Sequence, residues 1–282
     1  MLFMIIESAK NEQIKNIIKL RDSAKDRKRQ GLYIVEGPKM VLEAVRHNCI
    51  SRIYVSESVY NELKSGVESN NNRYAGLSCD EVISAISKYT YDIVSDHVFS
   101  AITDTVNPQG MLALVPVNDT MPECIVSENT HKDTLRLLIL EDVQDPGNLG
   151  TIFRTAEAAC FDAIVMTKGC VSAYNPKVVR STMGAILRLP FAYVENTKEA
   201  IDLCKKEGVK VYATALSGKD IREMTYDKRS AFIVGNESRG ISKDTLMECD
   251  ELIRIPMNPV SESLNAAVAA GIVMYDSVLT II

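Results

Sequence analysis

Short apolar runs alternate with stretches of helical periodicity along most of this 282-residue chain. LYIVEG, from Leu32, reads as a strand, and PKMVLEAVRHN as a helix with Pro38 in its first turn. RIYVS predicts the next strand, and the run from Glu57 to about Ser65 the next helix. RYAGLS and then CDEVISAISK repeat the alternation, and MLALVPV closes this half as a strand. The pattern implies a compact α/β domain over residues 1–117. Residues 118–133, NDTMPECIVSENTHKD, lack periodicity and carry turn-forming side chains, so they read as a linker.

A larger α/β unit is expected over residues 134–282. LRLLILEDV has the length and composition of a strand buried on both faces. TIFRTAEAACF follows as a helix, AIVMT as a strand, NPKVVRSTMGAI as a helix and LPFAYV as a strand. A helix over 197–207 leads to the strands VKVYATAL, AFIVG and LIRIPM, and SLNAAVAAGIVMYDSVL is the last helix. Strands alternating with helices imply a mainly parallel sheet with helices on both faces.

A hydrophobic fraction of 46% and a charged fraction of 24% are ordinary for globular proteins and exclude a disordered or fibrous chain. The net charge of -5 rules out a basic surface spread over the whole molecule. Residues 10–30 differ: eight basic against three acidic side chains give +5 (8 − 3), leaving -10 (-5 − 5) for the remainder. Ile14, Ile17, Ile18 and Arg21 lie at helical spacing, so an amphipathic helix is expected there. Its Lys25, Arg27, Lys28 and Arg29 are candidates for phosphate contacts, with a merely solvated helix as the plain alternative.

The seven cysteines form no CxxC pair and the three histidines are far apart, so no metal site is expected. Scattered thiols in odd number fit a reducing compartment. The opening MLFMII is too short for a signal peptide, and no apolar stretch approaches 18 residues. A soluble, cytoplasmic protein with no membrane contact is the expectation.

Candidate chemistry lies at three strand ends, where ligands gather in open α/β sheets. In EDVQDPGNLGTIFRTAEAA a strand runs into a loop holding Gly147, Asn148 and Gly150 and then into a helix carrying Arg154. A helix start favours an anion, and Arg154, expected near the first turn, offers a bidentate clamp. The plain alternative is a tight turn and a surface arginine. GxGxxG is absent, so this is no dinucleotide fingerprint. In AFIVGNESRGIS the strand ends in Gly235, Asn236, Glu237 and Arg239, a polar site or simply a polar turn. In LIRIPMNPVSESLNAAVAAGIVMYD, Pro256 and Pro259 stiffen a loop, Ser263 is placed to cap the last helix, and Asn265 falls inside its first turn. The alanines that follow make a smooth face suited to close packing, in a core or against another chain.

In this order, the three motifs resemble those of the SpoU (TrmH) family of RNA ribose 2'-O-methyltransferases within the SPOUT superfamily. The resemblance covers residues from about Leu135 to the end. On YIVEGPKMVLEAV and NPQGMLALV, the first half is similar to the accessory RNA-binding domain of larger members. The resemblance implies a C-terminal domain tied in a trefoil knot, a homodimer formed through it, and sites to which both subunits contribute. It implies S-adenosylmethionine as methyl donor, surrounded by Thr214, Ala215, Gly235, Ile255, Met257 and Leu264. It carries catalytic roles onto Asn148, Arg154, Glu237, Ser263 and Asn265. Among these roles, Arg154 is expected to clamp a phosphate, since a guanidinium is too weak an acid to serve as base. The implied substrate is RNA, ribosomal by the two-domain layout. A transfer RNA target, a SPOUT base methyltransferase, a non-catalytic RNA-binding protein and a nucleotide-binding regulator are the competing readings.

Overall fold

The computed structural model describes residues 5–66, 73–127, 132–258, 260 and 263–279. The chain forms two compact units, one of Met1–Asn118 with Tyr174–Leu187 and one of Asp119–Ala173 with Arg188–Ile282.

The first unit opens with two helices, α1 (Glu12–Asp22) and α2 (Ala24–Gln30), where the sequence suggests one. The break is local. Ser23 is extended (φ -122°, ψ 112°), and its hydroxyl accepts from the Asp26 N–H to start α2. Ile14, Ile17 and Leu20 of α1 enter the core. Then come β1 (Leu32–Glu36), α3 (Pro38–Arg46), β2 (Arg52–Ser56) and α4 (Glu57–Ser65), each close to its expected position.

RYAGLS makes no strand. Ala75 (φ 55°) and Gly76 (φ 83°) curl the chain around the wholly buried Tyr74. Ser78 and Glu81 then form a capping box that starts α5 (Cys79–Ile86). The strand is instead β3 (Tyr91–Val94), followed by α6 (Asp96–Ile102) and β4 (Met111–Pro116). The sheet order is β1-β4-β2-β3; β4 is antiparallel to β1 and β2, and β2 is parallel to β3.

The second unit begins with α7 (Pro122–Ser127), within the stretch read as a linker. Its Ile125 and Val126 are buried in a cluster with Ile201 and Cys204, so packing supplies the order that periodicity did not reveal. Next are β5 (Leu135–Leu140), α8 (Pro146–Ala158) and β6 (Ala163–Thr167). Then α9 (Pro176–Ser181) packs against β1 and belongs to the first unit. The helix expected over NPKVVRSTMGAI stops there, because Met183 (φ 51°) and Gly184 (φ 97°) break it before a 3-10 turn at Ala185–Leu187.

Strand β7 (Phe191–Val194), α10 (Thr197–Lys206), β8 (Lys210–Asp220) and β9 (Arg229–Val234) follow. Helix α11 (Lys243–Glu248), β10 (Glu251–Arg254) and α12 (Ala266–Leu279) complete the chain. The sheet runs β10-β8-β9-β5-β6-β7, and every pairing is parallel. Leu135, Leu137 and Ile139 pack with Ile201 and Cys204 of α10. Leu138 and Leu140, on the opposite face by strand alternation, are also wholly buried.

Candidate active site

From β5 the chain builds the sheet outward through β6 and β7, then returns through β8 and β9 on the other side. The order therefore switches between β5 and β9, whose last residues, Leu140 and Val234, lie side by side. A crevice at the carboxyl ends of such a pair is where a ligand fits. The first two motifs leave from these two strands.

After β5, Asp145 caps α8 by accepting from the Asn148 N–H at 2.7 Å, with Pro146 in the first turn. The helix thus starts ahead of Thr151, where the apolar pattern alone would begin it. The 9% exposed Asn148 side chain joins the three motifs. Its Nδ2 donates to Glu237 Oε1 at 3.0 Å, and its Oδ1 accepts from Asn265 Nδ2 at 2.8 Å.

Glu237 also accepts from the Asp145 N–H at 3.2 Å and the Gln144 N–H at 3.3 Å. Burial pushes its carboxyl up, but these donors, Asn148 foremost, outweigh burial and hold it below the usual carboxylate range. It is therefore ionised at neutral pH. The neighbouring Asn236 fastens the same loop, with Nδ2 donating to the Asp142 carbonyl at 2.8 Å and Oδ1 accepting from the Ser238 and Arg239 N–H groups.

Asn265 is the cap of α12 and not part of its first turn. Its Oδ1 accepts from the Ala267 N–H at 2.9 Å and the Val268 N–H at 3.2 Å. This corrects the expectation that Ser263 caps the helix. Ser263 lies ahead of it and is exposed.

Beside this chain of side chains lies a cavity of about 400 Å³. Thr214, Ala215, Gly235, Ile255, Met257 and Leu264 all line it, as do Glu237 and Ser263. Two backbone features shape it. Strand β8 pairs with β9 through Ala213, and its pairing with β10 jumps from Ala213 to Lys219. The stretch between Ala213 and Lys219 is thus a bulge between the two ladders, and its Thr214, Ala215 and Leu216 line the cavity. At Gly235 a Cβ atom would lie 2.4 Å from the Gly240 carbonyl carbon, so only glycine allows this approach. Apolar Leu216, Ile255 and Met257 suit a flat heteroaromatic ring, and the volume is within the roughly 300–1,000 Å³ typical of small-ligand sites. The residues therefore fit a nucleoside cofactor. Leu216 and Arg254 escaped the sequence reading; both are ordinary in composition, and only the bulge in β8 and the end of β10 bring them to the cavity.

Arg154 stands apart. It sits well along α8, exposed, and has no hydrogen bond or ion pair among the described residues. Of the basic quartet, Lys25, Lys28 and Arg29 are exposed, but Arg27 is only 6% exposed. Its Nη1 donates to the carbonyls of Leu20 at 2.7 Å and Arg21 at 2.9 Å, closing the end of α1. Arg27 is thereby removed from any phosphate-binding face. No group of three or more His, Cys, Asp and Glu side chains is placed to hold a metal ion among the described residues. Nor is any described helix long and apolar enough to cross a membrane.

A parallel sheet with a polar cluster at its switch point, and a nucleoside-sized cavity beside it at the ends of β8, β9 and β10, defines an α/β protein suited to hold a nucleoside cofactor. Residues 136–275 match the model of the SpoU rRNA Methylase family, and residues 11–113 match an MRM3-like substrate binding domain. The chain belongs to the SpoU family. It is 34% identical over 272 residues to the 23S rRNA (guanosine(2553)-2'-O)-methyltransferase RlmP of Bacillus subtilis (strain 168), covering 96% of this chain and 97% of that one. An AdoMet-bound rRNA methyltransferase from Sinorhizobium meliloti superposes with a TM-score of 0.81 at 27% identity, over 97% of both chains. A TrmH-family structure from Porphyromonas gingivalis gives 0.74 at 26% identity, over 94% and 96%.

Proposed function

We propose that this chain transfers the methyl group of S-adenosylmethionine to a ribose 2'-hydroxyl of ribosomal RNA. The observation that carries the reading is the Asn265–Asn148–Glu237 linkage at the rim of the nucleoside-sized cavity. Family membership and the relatives named above support the same chemistry.

When bound, the cofactor supplies an electrophilic methyl on a sulfonium. The protein's task is to align a ribose oxygen with it and to stabilise that oxygen as it loses its proton. Ile255, Met257 and Leu264, with the backbone of Thr214, Ala215 and Gly235, would hold the cofactor's nucleoside part. Glu237, ionised and saturated with donors, is poorly suited to accept a proton; it fixes the Asn148 carboxamide. Asn148, Ser263 and Asn265 position the ribose. Arg154 clamps the adjoining phosphate and offsets charge on the attacking oxygen.

The active form is a homodimer through the second unit. Val268, Ile272, Tyr275 and Leu279 are exposed at helical spacing along α12, forming one apolar stripe. Helix α8 packs against α12 and carries the unpartnered Arg154, which suits that residue to reach the site of the other subunit. The second domain is tied in the family's knot. Seven unpaired cysteines agree with a cytoplasmic location.

The test is transfer of labelled methyl to rRNA from cells lacking the gene, followed by nuclease digestion and nucleoside analysis. A 2'-O-methylnucleoside in rRNA is the expected product. A methylated base, label in transfer RNA only, or no transfer would overturn the proposal.

A further inference from the structure

A second cavity, of about 670 Å³, lies wholly within the first unit, between the start of α3 and the loop that precedes β4. Its walls combine three kinds of chemistry. The first is cationic. Lys39 is exposed and has no ion-pair partner among the described residues, and Arg180 of α9 reaches only Asp104, at 3.4 Å. Arg73 is a fixed wall, with Nη1 on Glu62 and Nη2 on the Gln109 carbonyl, both at 2.8 Å. Glu36 brings a negative charge, but its carboxylate already accepts from the Thr105 hydroxyl and, at 3.4 Å, from the Asp104 N–H.

The second kind is apolar. Met40 and Met183 both line the space. Met183 is 61% exposed and sits at φ 51°, a conformation that bulky side chains seldom adopt. Backbone strain at an exposed apolar side chain is a recurring mark of a ligand clamp. The third kind is amide. The exposed side chains of Asn107 and Gln109 have no hydrogen bond among the described residues.

Separated cations, apolar side chains and free amides in one cavity match a nucleotide: phosphate, base face and base edge. We propose that this cavity takes one unstacked nucleotide of the RNA substrate, with its phosphate against Lys39 and Arg180 and its base on Met183, read by Asn107 and Gln109. The inference rests on RNA being the substrate, and not on the transfer step. It assigns recognition to a cavity completed by α9, a segment from the second half of the sequence, and not to the basic helices α1 and α2.

The experiment uses the full chain and an rRNA transcript containing 4-thiouridine. On irradiation, crosslinks are expected at residues 36–40, 105–109 and 180–183. Lys39→Ala with Arg180→Ala should raise the RNA Kd about tenfold or more and lower the salt slope by about 1–2, with the S-adenosylmethionine Kd unchanged. Met183→Asn keeps a side chain tolerant of positive φ and removes the apolar platform; it should weaken RNA binding without altering the salt slope. Crosslinks confined to α1 and α2, or variants that bind RNA like the wild type, would overturn the inference. Cavity crosslinks in a protein that transfers no methyl would sink the proposed reaction and leave the inference standing.

Discussion

The carboxamides of Asn148 and Asn265 meet at 2.8 Å, although 117 positions separate them in the chain. This contact ties the start of α8 to the cap of α12, and Asn265 serves both ends of it. The two duties can be separated. Asn265→Ala should lose the cap and cost about 0.5–2 kcal/mol of stability, read by denaturant unfolding. Asn265→Ser can still cap, so it should unfold close to the wild type while methyl transfer falls at least about tenfold in both variants. Full turnover in Asn265→Ser would show that the link to Asn148 is dispensable.

Glu237 gives the site a pH signature. Its folded carboxyl is held below the ordinary value of 4.5 by Asn148 and backbone donors acting against burial. A depressed carboxyl contributes stability above its unfolded value and loses it as pH falls through the folded one. Glu237→Gln should therefore melt below the wild type at pH 7, and the gap should close as the pH falls from the ordinary value of 4.5 through the lower folded one. A gap that stays constant from neutral to acid pH would rule out the carboxylate as the source.

Arg154 is exposed and unpaired among the described residues, so Arg154→Ala should leave stability within about 0.5 kcal/mol of the wild type. Methyl transfer should fall by about 100-fold or more. If Arg154 serves the partner's site, mixing inactive Arg154→Ala with inactive Asn148→Ala should restore activity, because one site in each mixed dimer regains both residues. No recovery after subunit exchange would place Arg154 and Asn148 in the same subunit's site.

Arg27 looks like a nucleic-acid contact in the sequence and is a helix terminator in the structure. Arg27→Ala should cost about 1–3 kcal/mol through the carbonyls it leaves unsatisfied. The salt dependence of RNA binding should stay as in the wild type. Lys28→Ala, at an exposed position, should barely move stability. A lower salt slope in Arg27→Ala at temperatures where it is fully folded would return Arg27 to the RNA surface.

Most strands of the second unit were legible because a parallel strand buried on both faces needs an unbroken apolar run, and LRLLIL and AIVMT supply it. Strand β3 was not, because YDIV opens with two partly exposed residues and is short. Helix α7 was hidden by its turn-forming neighbours, and its two core residues fall short of a helical period. Gly235 stood out at the end of the strand AFIVG, whereas the cavity residues Thr214 and Met257 were reached only through the family resemblance, since nothing in their local pattern marks them.

Local propensity and the resemblance of three loops determined the two α/β halves, the parallel sheet and the motif residues at its strand ends. Tertiary structure alone decided that Asn148 would bind Glu237 and Asn265 together, that Arg27 would be spent on α1, and that α9 would leave its neighbours to join the first unit. The reason is physical. Apolar periodicity reports which face of an element is buried, but hydrogen-bond partners and packing neighbours distant in sequence are set only when the sheet fixes its strand order.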